Sequence, residues 1–281
     1  MPNFPIVDSH VHLYDPAAIP YGWMKGLAID HAHGIAEFDR ARAPVEVEKF
    51  IFVEVSADPG HHIAEARAVA ALTGDPRLAG LVLHAPLEKG AGVEADLALL
   101  AALPNAKGVR RLIQGEADPG FCLEPGFAEG IALLPKYGLS FDICVKSFAL
   151  QYGLELARRN PGVSFILDHV GKPDIRRGIA EPWASQVKAL AALPNVTAKL
   201  SGVITEAHPD RRSPAVIRPY IREVVEAFGF DRVMFGGDWP VSALSHRYPD
   251  WVAMVDAALA DAAPDELLKL YRTNASRVYR L

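Results

Sequence analysis

The sequence predicts an α/β chain closed as a single-domain (β/α)8 TIM barrel spanning residues 1–281. Three observations carry that expectation. Short runs rich in Val, Ile, Leu and Phe recur eight times between longer segments of helical periodicity. The returns to the strands resemble one another: Leu100-Ala101-Ala102-Leu103-Pro104-Asn105 and Leu190-Ala191-Ala192-Leu193-Pro194-Asn195 each precede an apolar run, and Arg159-Asn160-Pro161-Gly162 ends a third helical segment in the same way. Periodicity by itself also allows an open doubly wound sheet. However, no G-x-G-x-x-G or phosphate-binding loop follows the first run, which removes the usual reason to prefer that arrangement.

In chain order the expected strands are Pro5 to His12, Phe50 to Val55, Leu78 to His84, Ala106 to Arg110, Leu139 to Val145, Ser164 to His169, Val196 to Ser201 and Arg232 to Gly236. Helical spacing marks Gly60 to Leu72, Val93 to Leu103, Phe148 to Asn160, Ile179 to Leu193 and Ala215 to Phe228 between them. The first gap, Leu13 to Lys49, is long and carries Pro16, Pro20, Tyr21-Gly22-Trp23-Met24 and the pair His31 and His33. In a barrel this connection leaves the C-terminal face, where binding sites lie, so it reads as a wall or lid. Trp23 is its candidate substrate-stacking residue; the alternative is a plain hydrophobic plug.

Half the residues are apolar and 22% are charged, the balance of a globular enzyme with an ample core. A net charge of -5 offers no general attraction to nucleic acid or to an anionic membrane surface, which makes a small molecule the expected partner. Cys122 and Cys144 are the only cysteines and have no C-x-x-C spacing, so neither a disulfide framework nor a thiolate zinc site is expected and a reducing cytoplasm fits. There is no secretory leader pattern and no apolar stretch of membrane-spanning length. The sequence leaves a homo-oligomer open.

Polar residues cluster where the expected strands end: His10 and His12, Glu54, His84, Arg110, Asp142 and Lys146, Asp168 and His169, Lys199 and Ser201, and Asp238. Strand ends of a barrel converge on one pocket, and charged groups are seldom buried without a partner or a task. His-x-His on a strand puts His10 and His12 on one face, able to grip a divalent cation or a carbonyl; the plain alternative is a hydrogen-bonded pair. His169 could ligate metal, donate to an oxyanion or be a satisfied core histidine. Asp168, next to it, is expected on the opposite face. Asp238 breaks the run Val233-Met234-Phe235-Gly236-Gly237, where it can take a proton from an attacking water or cap a following helix. Arg110 and Lys199, with Arg111 and Lys172, could bind substrate hydroxyls or a carboxylate, or could pair with Glu54 and Asp142. Glu54 and His84 complete the candidate substrate contacts. His61, His62, His208 and His246 read as solvated.

Together, Asp8-Ser9-His10-Val11-His12, Tyr21-Gly22-Trp23, Gly108-Val109-Arg110, Asp168-His169-Val170-Gly171-Lys172-Pro173 and Phe235-Gly236-Gly237-Asp238-Trp239-Pro240 resemble the amidohydrolase superfamily, in particular its amidohydrolase-2 branch containing sugar lactonases. The resemblance implies a barrel in which His10, His12, His169 and Asp238 surround the reacting carbonyl. It implies hydrolytic opening of an aldonolactone such as fucono-, rhamnono- or galactonolactone, with Asp238 as general base. Other activities of the superfamily, a metal-dependent decarboxylase or a lactone isomerase, and a non-catalytic sugar-acid binding barrel are the alternatives. His10, His12, His169 and Asp238 are the residues that would hold one divalent metal such as zinc, which the resemblance does not make a requirement, and no organic cofactor is expected. Binuclear members carry a fifth-strand histidine, and this chain has Asp142 and Lys146 there instead.

Overall fold

The computed structural model describes residues 2–178 and 180–281. Its strands are β1 (Ile6–Val11), β2 (Val47–Val53), β3 (Leu78–Leu83), β4 (Ala106–Arg110), β5 (Ser140–Ile143), β6 (Phe165–Leu167), β7 (Val196–Leu200) and β8 (Val233–Phe235). They pair in parallel in sequence order. The ring closes just beyond β8, where the Asp238 amide donates to the His10 carbonyl and the His12 amide to the Trp239 carbonyl, each at 2.8 Å. This is the (β/α)8 barrel that the alternation of runs predicts.

The strands sort their side chains with a period of two. Phe50 and Phe52 of β2 join the large apolar layer between strands and helices. Ile51 and Val53 face inward instead, in a smaller cluster with Val7, Val82, Ile166 and Met234 that the last helix closes with Ala275 and Tyr279. Above this apolar plug the inward positions turn polar: Arg110, Asp142 and Lys199 are all buried.

Around the strands run α1 (Ile35–Arg42), α2 (His62–Ala70), α3 (Glu94–Ala101), α4 (Pro125–Leu133), α5 (Leu150–Arg159), α6 (Trp183–Ala191), α7 (Pro214–Phe228), α8 (Tyr248–Ala258), α9 (Pro264–Leu268) and α10 (Asn274–Tyr279). The helix expected from Ile179 has its visible course at Trp183–Ala191, and Ile179 itself lies outside the described residues. α8, α9 and α10 follow β8, beyond the last expected helix, and between the strands two helices lie outside the expected set. The long first connection contains α1, whose exposed polar face and single buried anchor, Phe38, leave little apolar periodicity to read. α4 lies where no helix is predicted, because Pro125, Gly126 and Gly130 interrupt its pattern. Both glycines are needed there: a Cβ on Gly126 or Gly130 would meet the carbonyl oxygens of Glu88 and Leu87 at 2.6 and 2.3 Å. Among the described residues no helix is long and apolar enough to cross a membrane.

Candidate active site

A regular β1 would place His10 and His12 on the face of Ile6 and Asp8. Ile6 packs in the outer layer, and Asp8 accepts from the Tyr248 hydroxyl of α8 at 2.8 Å. A register shift between Asp8 and Val11 reverses the phase, so Val11 packs outward and both histidines point into the barrel. Asp8 holds this irregular stretch by accepting from the amides of His10 (2.9 Å) and Gly237 (2.8 Å). Burial pushes its carboxyl up to about 6.

His12 Nδ1 lies 2.8 Å from the Val53 carbonyl, which can only accept, so that nitrogen carries the proton and Nε2 presents its lone pair to the site. Nε2 stands 3.5 Å from Asp238 Oδ1, and His10 Nε2 stands 3.7 Å from the same oxygen. His169 faces the other carboxylate oxygen, with Nδ1 3.9 Å from Oδ2 and 3.0 Å from the Ser201 hydroxyl. Three imidazoles therefore surround one carboxylate. Burial acts to raise Asp238, but the fields of His169, His10 and His12 hold it well below the usual carboxylate range. Burial pushes the His169 imidazole down to about 3, leaving it neutral near pH 7.

Backbone shape brings these groups together. β6 stops at Leu167, and Asp168–Gly171 form one tight turn in which His169 and Val170 have φ of 51° and 50°. That break overturns the expected separation of Asp168 from His169, because a strand's alternation no longer applies and both side chains enter the barrel. Asp238 is also left-handed, with φ of 55°. Non-glycine residues held in this region cost about 1–3 kcal/mol each, and such strain concentrates at functional sites. Gly202 (φ 59°) supports the pair from below: a Cβ there would lie 2.6 Å from His169 Nδ1 and 3.1 Å from Asp238 Oδ2.

Beneath the imidazoles lies a layer of buried charges. Each ring nitrogen of His10 faces one cation and one carboxylate: Nδ1 is 3.4 Å from both Lys199 Nζ and Asp168, and Nε2 is 3.4 Å from Arg110 and 3.7 Å from Asp238. Lys199 donates to Asp142 at 2.5 Å and lies 3.1 Å from Asp168. Arg110 donates to the Glu54 carboxylate and the Glu54 carbonyl, each at 2.6 Å, and to Asp168 at 3.1 Å. The carboxylates around them hold both cations above their ordinary values despite burial.

The sequence matches the amidohydrolase family profile over residues 7–281. The chain belongs to the amidohydrolase family. An L-fucono-1,5-lactonase of Burkholderia ambifaria is 36% identical over 199 residues, covering 69% of this chain and 68% of that protein. A second L-fucono-1,5-lactonase, from Burkholderia multivorans, is 28% identical over 301 residues, 98% of this chain and 96% of its own. The crystal structure of an amidohydrolase from Burkholderia multivorans with bound zinc matches with a TM-score of 0.87 at 26% identity, over 99% of this chain and 100% of that one.

In this amidohydrolase a cavity of about 440 Å³ opens above the imidazoles. It is lined by His12, His169, Asp238, Arg110 and Trp23 among the residues expected at the site. His10 lies just behind that lining and reaches it through Asp238. Glu54, Lys199 and His84 do not line the cavity. Glu54 and Lys199 are fully buried in the charge layer, and His84 Nδ1 stands 4.0 Å from Glu54 on its outer side. His246, read as solvated, is largely enclosed, and burial lowers it to about 4. Sequence reasoning passed over Gln114, which lines the cavity with an amide oxygen that is buried and has no hydrogen-bond partner among the described residues. A lone glutamine in a loop carries no signal that could have marked it.

Among the described residues two sets of side chains could hold a metal ion: His10, His12 and Asp238, and His10, Asp168 and His169. The first offers two imidazoles and a carboxylate, with His12 already in the tautomer that ligation through Nε2 requires, and it suits zinc. The second is occupied by the chain's own cations, since Lys199 lies within 3.4 Å of both His10 and Asp168. The residues fit one ion.

Proposed function

We propose that this amidohydrolase opens the ester ring of a neutral sugar-acid lactone, an aldonolactone, by water attack with Asp238 as general base. The observation that carries the reading is a single ionised carboxylate, ringed by His10, His12 and His169, at the floor of a cavity of about 440 Å³. That volume is in the range of small-molecule sites. Relatives named as fuconolactonases support the same class of reaction.

Asp238 accepts a proton from water as the water oxygen bonds to the lactone carbonyl carbon, and collapse of the tetrahedral intermediate breaks the ring C–O bond while Asp238 returns that proton to the departing ring oxygen, giving a hydroxy acid. A carboxylate held below its ordinary range is a weak base, so the water must be acidified by its surroundings. A divalent cation held by His10, His12 and Asp238 would supply that acidification and polarise the carbonyl. His169, neutral and anchored by Ser201, faces the same carboxylate and is placed to interact with the oxyanion. Trp23 forms the apolar wall, and Gln114 offers an unpaired amide oxygen to a ring hydroxyl.

Charge pairing favours a neutral substrate over a dicarboxylate. Arg110, Arg111 and Lys172 line the cavity, and each already faces a carboxylate of the chain: Glu54 and Asp168, Glu88 and Glu116, and Glu206. The test is a pH-indicator screen of aldonolactones and of an acidic pyrone lactone, with and without chelator. One or more aldonolactones should be opened, and Asp238→Asn should lower turnover by about a hundredfold or more while the protein stays folded. Near-normal hydrolysis by that variant would refute the assignment of the base.

A further inference from the structure

Glu65 is a buried carboxyl outside the reaction described above. It lies on the inner face of α2, 2% exposed, beside Ala66 and Val69. Its Oε1 accepts from the Val55 amide at 3.1 Å, and its carboxyl and the Tyr21 side chain face one another along one cavity. The same Val55 peptide accepts, through its carbonyl, from Trp23 Nε1 at 2.8 Å. Val55 and Trp23 both line the cavity.

These bonds join two segments of the chain. The wall segment Pro20 to Trp23 meets the turn after β2 through Gly22, whose amide donates to Asp58 at 2.7 Å, and through the Asp58 amide, which donates to the Pro20 carbonyl at 2.9 Å. Glu65 bonds to Val55 on one side and faces Tyr21 on the other. Behind the joint, between the first connection and α2, lies a second cavity of about 340 Å³ lined by Tyr14, Tyr21, His33 and Glu65. Tyr21 and Met24 pack into the core beside that cavity, and the polar joint fixes the wall to the turn after β2.

We propose that Glu65 is a positioning residue that ties Tyr21 to the Val55 peptide and so holds Trp23 against a bound substrate ring. The substrate ring in this statement rests on the lactonase reading above. The charged and titratable groups facing the Glu65 carboxyl are Tyr21 from the first connection, Glu54 at the end of β2 and Arg110 from β4. Burial and the Glu54 carboxylate push it up to about 8, so it carries its proton at neutral pH. Opening the joint hydrates the group and returns it toward an ordinary glutamate. Rising pH therefore favours the open joint, and a glutamine, which keeps the acceptor and cannot ionise, is free of that dependence.

The experiment compares wild type, Glu65→Gln and Glu65→Leu. Trp183, Trp239 and Trp251 are buried and Trp23 is 45% exposed, so acrylamide quenching of tryptophan fluorescence reports Trp23 without any substrate. Glu65→Leu should increase quenching at pH 7 and raise KM about tenfold with kcat within about threefold. Glu65→Gln should match wild type near pH 5 and lack the rise in KM and quenching that wild type completes by about pH 9. Thermal unfolding adds a signed readout: a carboxyl raised in the folded state contributes stability below its unfolded value, near 4.5, and loses it as pH rises through about 8. Glu65→Gln should thus gain on wild type between pH 5 and pH 9. If Glu65→Leu does not fold, the pH profiles of Glu65→Gln decide the matter. Glu65→Gln tracking wild type above pH 8, or a folded Glu65→Leu with unchanged quenching and KM, overturns the proposal. Quenching that follows Glu65 in a protein that opens no lactone would keep the positioning role and remove the lactonase reading.

Discussion

Replacing Lys199 by Met tests whether the charge layer under His10 is a set of mutually compensated ions. The ammonium group is fully buried, 2.5 Å from Asp142 and 3.1 Å from Asp168, and the Tyr279 ring centroid is 5.5 Å away. At an effective dielectric of about 20, each attraction at such distances is worth roughly 5 kcal/mol gross, most of it offset by the several kcal/mol needed to strip each ion of water. Methionine fills a similar volume, so the variant loses little packing but leaves buried Asp142 without its cation and Asp168 with Arg110 alone. Removing one partner of a buried pair costs about 3–5 kcal/mol, and for a domain of this size each kcal/mol lowers Tm by roughly 2 °C. We therefore expect urea and thermal unfolding to show a loss of about 3–5 kcal/mol and a Tm lower by roughly 6–10 °C. Adding Asp142→Asn to Lys199→Met should recover part of the loss, because the uncompensated charge is then gone. A loss below about 1 kcal/mol in the single variant, or a double variant showing the full sum of two single losses, would refute the reasoning.

Two other outcomes follow from the geometry. Gly202→Ala should cut turnover about a hundredfold, because its Cβ would displace His169 and Asp238, while Tm falls by only a few degrees; unchanged turnover in steady-state assays would show that their spacing is not critical. Titration with zinc, read by calorimetry and elemental analysis, should reach one ion per chain and lose that ion in His12→Ala; a second tight ion would show that Lys199 and Arg110 do not fill the second set of ligands.

Much of the architecture is legible along the chain because a parallel barrel buries its strands on both faces, leaving apolar runs that stand out from the helices. α1 and α4 are less legible, one because it buries a single aromatic residue and the other because its glycines serve close contacts with the carbonyls of Glu88 and Leu87. The convergence of His10, His12, His169, Arg110 and Asp238 follows from their places at strand ends. Glu54 and Lys199 occupy equivalent places yet stand behind the cavity, since the partner that each charge finds is a matter of distance in space.

The sequence by itself determined the barrel, the strand ends that carry polar side chains, and the family to which the chain belongs. Only the tertiary structure decided that a shifted register in β1 turns both histidines inward, that the break after Leu167 brings Asp168 in with His169, and that Lys199 sits between two carboxylates. Composition and periodicity describe how a strand or helix meets its surroundings on average. Register, left-handed turns and charge pairing depend on contacts between residues as far apart as Asp8 and Gly237, which exist only once the ring has closed.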